Sequence, residues 1–194
     1  MNSGFSFIQA IFWGFSVCYT ETILLIGKVN FMKKQMSYRI LIPASLSDTW
    51  VAWTTEKGAK TFFAPDCKIE LKPGGAYEMY FNLDAPPGEQ GGEGMIILAL
   101  QPEKMLSFTW NSPPNLPTVR GEMTHVMVNL ESKKPNETLV SLDHDGWGEG
   151  GEWDQAFDYF TRAWGEIVLP RLKFRFEEGP IDWEDPPALG RREK

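Results

Sequence analysis

The sequence predicts an α+β fold: a curved antiparallel sheet of about six or seven strands wrapped around a long C-terminal helix, with two short helices after the first strand. Three observations carry it. Short runs of alternating apolar and polar residues recur between Cys67 and His144, set apart by Gly, Pro and Asn turns. From Glu152 to Glu178 the apolar period changes from two to that of a helix. Ahead of both, one strand leads directly into capped helical sequence.

Tyr38 to Ile42 reads as a strand ended by Pro43. Ser45 or Ser47 can cap a helix through Trp50-Val51-Ala52-Trp53, and a second helix covers Glu56 to Phe63 before Ala64-Pro65. Cys67 to Leu71 is a strand closed by the turn Lys72-Pro73-Gly74-Gly75. Ala76 to Leu83 places Tyr77, Met79, Phe81 and Leu83 on one face. After a Gly/Pro-rich loop, Asp84 to Gly92, come strands at Gly94 to Leu100 and Met105 to Trp110, the second with Leu106, Phe108 and Trp110 together. Pro113, Pro114 and Pro117 mark a loop. Thr124 to Glu131 and Thr138 to His144 complete a meander, with Val140, Leu142 and His144 sharing a side.

In the closing helix Trp153, Phe157, Phe160, Trp164 and Val168 form a stripe that Ala156, Ala163 and Ile167 widen, while Asp154, Asp158, Arg162 and Glu166 point away. Pro170 inside this pattern should kink the helix or end its first part. The domain is expected over residues 35–178, followed by a charged tail, 179–194.

Composition narrows the function classes. Net charge is −7, and the first 34 residues carry Lys28, Lys33 and Lys34 against Glu21 alone, which leaves the remainder at −9. No basic run suits a phosphate backbone, so nucleic acid is not an expected partner. Two cysteines, Cys18 and Cys67, make neither a disulfide framework nor a thiolate metal cluster, and a reducing, cytoplasmic setting is expected. Thirteen Phe and eight Trp suit a bulky core or an aromatic-lined cavity.

Residues 1–34 differ from the rest. Phe5 to Tyr19 is uncharged and aromatic, Glu21 interrupts the apolar run, and no Lys or Arg precedes Lys28, so neither a spanning helix nor a secretory signal fits. A mis-assigned start before Met32 or Met36, a weak membrane anchor and an extra packed helix stay open. A membrane is not an expected partner unless this segment is genuine.

Chemistry-bearing motifs are few. Gly146-Trp147-Gly148-Glu149-Gly150-Gly151 spells G-x-G-x-x-G between a strand and a helix. Dinucleotide binding needs a helix N-terminus free to hold pyrophosphate. Here Asp145, Glu149, Glu152 and Asp154 crowd that end, and no parallel strand follows. The stretch reads as a loop at a cavity mouth, and no cofactor is expected. His125 and His144 lie on different strands without spaced carboxylates, so no metal site is expected. His144 points inward, where a buried neutral imidazole bonded to a neighbour is the plain reading and a ligand-orienting or acid/base group the sharper one. His125 should face solvent. Glu93 and Glu122, near strand starts, read as solvated, and no catalytic set is assigned.

The pattern resembles a known family at five places. Ile42-Pro43-Ala44 with Trp50-Val51-Ala52-Trp53-Thr54 is similar to the opening of SRPBCC (START-like) proteins. Lys72-Pro73-Gly74-Gly75 with Tyr77 resembles their second-hairpin signature, and Gly94, Pro102 and Leu106-Ser107-Phe108-Thr109-Trp110 their central hairpin. Thr138 to Trp147 resembles the last strand and its exit, and Trp164 to Leu172 the closing helix, although Gly165 follows the tryptophan instead of preceding it. Together these resemble the subgroup named after the C-terminal domain of the activator of the heat-shock protein 90 ATPase, from Ser37 to Glu178.

The resemblance implies a helix-grip fold with a cavity between sheet and closing helix that holds a hydrophobic or aromatic small molecule. Its candidates for the cavity are Trp53, Tyr77, Met79, Phe81, Phe108, Trp110, His144, Trp153, Phe157, Phe160 and Trp164. At helical spacing such aromatics also simply fill a core. Of the closing helix, Trp153 to Val168 is expected to line the space and Arg171 onward to cover the sheet's end. Two rivals follow from the same resemblance. One is an interaction protein that stimulates a chaperone ATPase; the other is a cavity enzyme of cyclase or hydrolase type using His144 or a nearby Asp. Only one inward polar residue is found, so binding without covalent chemistry comes first.

Overall fold

Two side-chain caps set the path of the chain out of its first strand. After β1 (Met36–Ile42), Ser45 accepts the Asp48 N–H at 3.0 Å and starts α1 (Leu46–Thr54). Thr55 does the same for Gly58 and starts α2 (Glu56–Ala59). The computed structural model describes residues 34–189, so the readings of the segment before Lys34, Cys18 included, lie outside the described residues.

α2 stops at Ala59 and not at Phe63, because Thr61, Phe62 and Phe63 turn their N–H groups back to Gly58 and Ala59 in tight turns. That turn delivers Phe62 and Phe63 to the core. Gly58 sits at the α1–α2 corner, where a Cβ would lie 2.2 Å from the Val51 carbonyl oxygen and 2.7 Å from the Ala52 Cα. Backbone cannot yield as a flexible side chain does. Gly58→Ala should therefore cost about 1–3 kcal/mol, measured as a shifted urea midpoint with far-UV circular dichroism unchanged.

The strands β2 (Asp66–Ile69), β3 (Tyr77–Tyr80) and β4 (Gly91–Gly92) form one antiparallel sheet. β5 (Ile97–Gln101), β6 (Met105–Trp110), β7 (Thr124–Lys134) and β8 (Glu137–Asp145) join β1 in another, ordered β1-β8-β7-β6-β5. A bridge between Ala76 and Ile96, with the Tyr77 N–H on the Met95 carbonyl at 2.8 Å, carries one sheet into the other. The strand that the sequence did not signal is Gly91–Gly92, since two glycines show no periodicity. β3 is shorter than expected: beyond Tyr80 the N–H groups of Phe81 and Asn82 turn to the Gln90 carbonyl, and the ladder stops. Phe81 and Leu83, expected inward with Tyr77 and Met79, end up 43% and 52% exposed.

The closing helix is continuous but not uniform. α3 (Glu152–Arg162) passes through a π-helical turn, Ala163–Val168, into α4 (Leu169–Glu177). Pro170 has no N–H to return to the preceding turn. The helix widens just before it, with the Leu169 N–H bonding five residues back to the Trp164 carbonyl. Pro170 thus divides the helix without a break. Ala156, Phe160, Trp164, Val168 and Leu172 are all buried, a stripe with a constant step of four that the wider turn keeps aimed at the sheet. Its larger members share one core with Val126, Val128, Val140 and Leu142 of the central strands. The tail is strapped down at its start, with the Ile181 N–H on the Thr61 carbonyl and the Trp183 Nε1–H on the Lys60 carbonyl. Among the described residues no helix is long and apolar enough to cross a membrane.

Candidate functional site

Phe63, Trp110 and Trp164 come from the turn after α2, from β6 and from the π turn. Their ring centroids lie 5.7 Å apart in all three pairs. Beside this triangle open two adjoining cavities of about 190 and about 400 Å³, which share Phe81, Trp110, Tyr159 and Phe160 as walls. The smaller is otherwise walled by Phe63, Ala163, Trp164, Ile167, Val168 and Arg171. The larger reaches out between the β3–β4 loop and the segment after β6, where Asn111, Ser112 and Arg120 supply polar surface.

Arg120 holds that rim together. Its guanidinium donates to the carbonyls of Gly88 (2.8 Å), Gly91 (2.7 Å) and Ser112, and lies 3.8 Å from the Glu93 carboxylate. Burial lowers the Arg120 pKa from its ordinary value, and the charges of Glu93 and Glu89 oppose the shift. Glu93, read from sequence as solvated, accepts the N–H groups of Gly88 and Gln90 and is mostly covered. Ser112 is buried on the wall of the larger cavity with its Oγ unpaired.

His144 is fully buried behind the triangle, outside both cavities. The Trp164 Nε1–H donates to its Nδ1 at 2.9 Å, and its Nε2 meets the Thr124 Oγ1 at 2.7 Å. Thr124 spends its own hydrogen on the Trp110 carbonyl at 2.8 Å. Nε2 is therefore the donor, and the neutral Nε2–H tautomer satisfies every group in the chain. Burial pushes the pKa down to about 3, and the positive charge of His125 adds to this. With both nitrogens engaged and no place on the wall of either cavity, this imidazole is not set to exchange protons with a ligand held there.

A serine, a histidine and an aspartate also meet on the outer face of the sheet. Ser107 Oγ lies 2.8 Å from His125 Nε2, and His125 Nδ1 lies 3.1 Å from Asp145 Oδ1. The order is that of nucleophile, base and orienting acid. However, Ser107 is paired in the ladder with both Ala99 and Met127 and lines neither cavity. The trio braces three neighbouring strands, and His125 is only half exposed because of it. Among the described residues no group of three His, Cys, Asp or Glu could hold a metal ion.

Of the sequence candidates, Phe81, Trp110, Phe160 and Trp164 meet at the cavities. The other seven line neither cavity. Trp53, Tyr77, Met79 and Phe108 are buried in the core, with Tyr77 donating its OH to the Trp53 carbonyl at 2.9 Å and its ring tilted against Phe108 at 4.4 Å. His144 lies behind them. Trp153 packs on Trp147 in a satellite cluster with Leu116, Val119 and Ala156, and Phe157 packs on Trp147 beneath the Lys34 ammonium. The glycine-rich loop serves this packing: a Cβ on Gly148 would lie 2.3 Å from the Trp153 Nε1. Residues not anticipated at the site include Phe63, Tyr159, Asn111, Ser112, Arg120 and Arg171. Of these only Phe63, among Phe62 and Ala64, carried an apolar signal.

Comparison with known proteins gives the chain its relatives. The family model described as Activator of Hsp90 ATPase homolog 1-like protein matches residues 43–177. The chain is similar to the Aha1 dimer of Colwellia psychrerythraea, at 26% identity, with 75% of this chain and 98% of that chain covered and a TM-score of 0.57. CalU16 of Micromonospora echinospora shares the fold at 22% identity, 78% and 79% coverage and a TM-score of 0.56. So does PFC0360w, an HSP90 activator from Plasmodium falciparum, at 14% identity, 70% and 90% coverage and a TM-score of 0.50. No curated protein matches the chain.

Proposed function

Given that the chain belongs to the family of Activator of Hsp90 ATPase homolog 1-like proteins, we propose that it binds a hydrophobic or aromatic small molecule in the paired cavities beside the closing helix, without covalent chemistry. The observation that carries this is the shared wall. Phe81 and Tyr159 hold their rings 43% and 46% exposed where the two cavities meet. Fully burying such a ring is worth about 1.5–3 kcal/mol, and a bound apolar ligand that covers the half left in water recovers about half of that. The combined space is of the size that takes small molecules, mostly apolar with a few convergent polar groups. The buried, unpaired Cys67, its thiol pushed up to about 11 by burial, fits a reducing, cytoplasmic setting.

Native mass spectrometry of the purified full chain tests for a co-purified adduct, and titration with the neutral probe N-phenyl-1-naphthylamine tests the cavity directly. Ala163→Phe fills the smaller cavity from its wall and should weaken the probe about tenfold or more while leaving Tm nearly unchanged. No adduct together with unaltered probe affinity in the variant would end this reading.

A second reading, stimulation of a chaperone ATPase, is favoured by the description of the matching family as Activator of Hsp90 ATPase homolog 1-like protein. The ATPase rate of a purified Hsp90-type chaperone with and without the full chain decides it, and an unchanged rate removes it.

A further inference from the structure

Among the described residues, Arg171 is the one charged side chain on the wall of the smaller cavity. Its Nε is buried and has no acceptor among the described residues. The only influence that shifts its titration is burial, with no carboxylate opposing. Acidic groups are not scarce, since the chain has 26 Asp and Glu against 19 Lys and Arg. Arg120, also partly buried, takes three carbonyls and sits near Glu93. Arg171 has instead an aromatic surface: the Trp183 ring lies 5.2 Å from its guanidinium, and that ring is held by its bond to the Lys60 carbonyl at 2.7 Å. A guanidinium stays charged in a protein, and a partly desolvated cation calls for a counter-charge.

The rest of the wall is flat and apolar, with Phe63, Trp110, Phe160 and Trp164 around the same space. We propose that the smaller cavity is built for an aromatic carboxylate, its ring among these side chains and its carboxylate paired with the fork of Arg171. Guanidinium and carboxylate match as two parallel hydrogen bonds, which a lysine in the same place could not reproduce. The assignment rests on the small-molecule reading and names the class of molecule.

The test compares an acid with its neutral counterpart. The full chain is titrated with 1-naphthylacetate and with 1-naphthaleneethanol, following quenching of tryptophan fluorescence. The acid should bind about tenfold or more tighter than the alcohol, and the preference should vanish in Arg171→Gln and shrink in Arg171→Lys. Equal binding of the alcohol by all three chains also reports an intact cavity. If the natural chain binds acid and alcohol alike, the carboxylate assignment fails and the apolar cavity stands. If the preference survives Arg171→Gln, the reader of the charge is not Arg171. If neither compound binds, this assignment and the small-molecule reading fall together.

Discussion

Trp164→Ala is expected to cost more stability than any other single truncation near the site. Trp164 is buried in the π turn, packs against Phe63, Trp110 and Phe160, and donates its Nε1–H to His144. Truncating a buried tryptophan costs about 3–5 kcal/mol, out of about 5–15 kcal/mol for a whole domain. For a chain of this size the melting temperature should fall by about 6–20 °C. The void would also open into the smaller cavity, so surrounding side chains have little reason to collapse neatly. Trp164→Phe separates the two contributions. It keeps most of the ring contact but leaves the His144 Nδ1 without a donor, a loss of about 1–3 kcal/mol. Urea denaturation of both variants measures the difference. An alanine variant within about 1 kcal/mol of the natural chain would mean that the triangle is not the keystone of this core.

The parts of this fold that were legible in the sequence are those whose burial is decided by local period. β7 and β8 have one covered face each, so Val126, Val128, Val140, Leu142 and His144 lie where alternation puts them. The closing helix was legible for the same reason, and its residues carry the family resemblance that the match over residues 43–177 shows. The site was legible only in part, because a cavity wall differs from a core by what stands opposite. Tyr77, Met79 and Phe81 have the same parity, yet the first two are core and the third is exposed, since the ladder of β3 stops at Tyr80. Tyr159 lies off the apolar stripe and gains its place from loops distant in sequence. Glu93 and Arg120 belong to different loops, and no spacing rule connects them. The sequence pattern puts Arg171 over the sheet's end; in the structure it lines the smaller cavity, just after a widened turn that no sequence pattern announces.

Stability should decline as pH falls from about 6.5 towards 3 through one buried histidine, and His144→Gln should remove that part of the decline. In the unfolded chain His144 takes a proton near its ordinary pKa of 6.5, whereas in the fold burial, helped by the charge of His125, holds protonation off until about 3. Across that window the unfolded state binds the extra proton. The contribution is therefore complete above 6.5, shrinks by up to about 1.4 kcal/mol per pH unit below it, and levels off once the folded form is protonated as well. The geometry explains why the fold resists. A second proton on Nδ1 would face the Trp164 N–H head-on, while Nε2–H is already given to Thr124. Glutamine can still accept from the tryptophan and donate to the threonine but does not titrate, so the variant keeps the bonds and loses the switch. Carboxylates titrate at the acid end in both chains and cancel in the difference, which urea midpoints at pH 7, 6, 5 and 4.5 would measure. The natural chain should lose its advantage over the variant steadily across that series. Parallel lines would mean that His144 charges without penalty in the fold, and would return it to consideration as an acid or base.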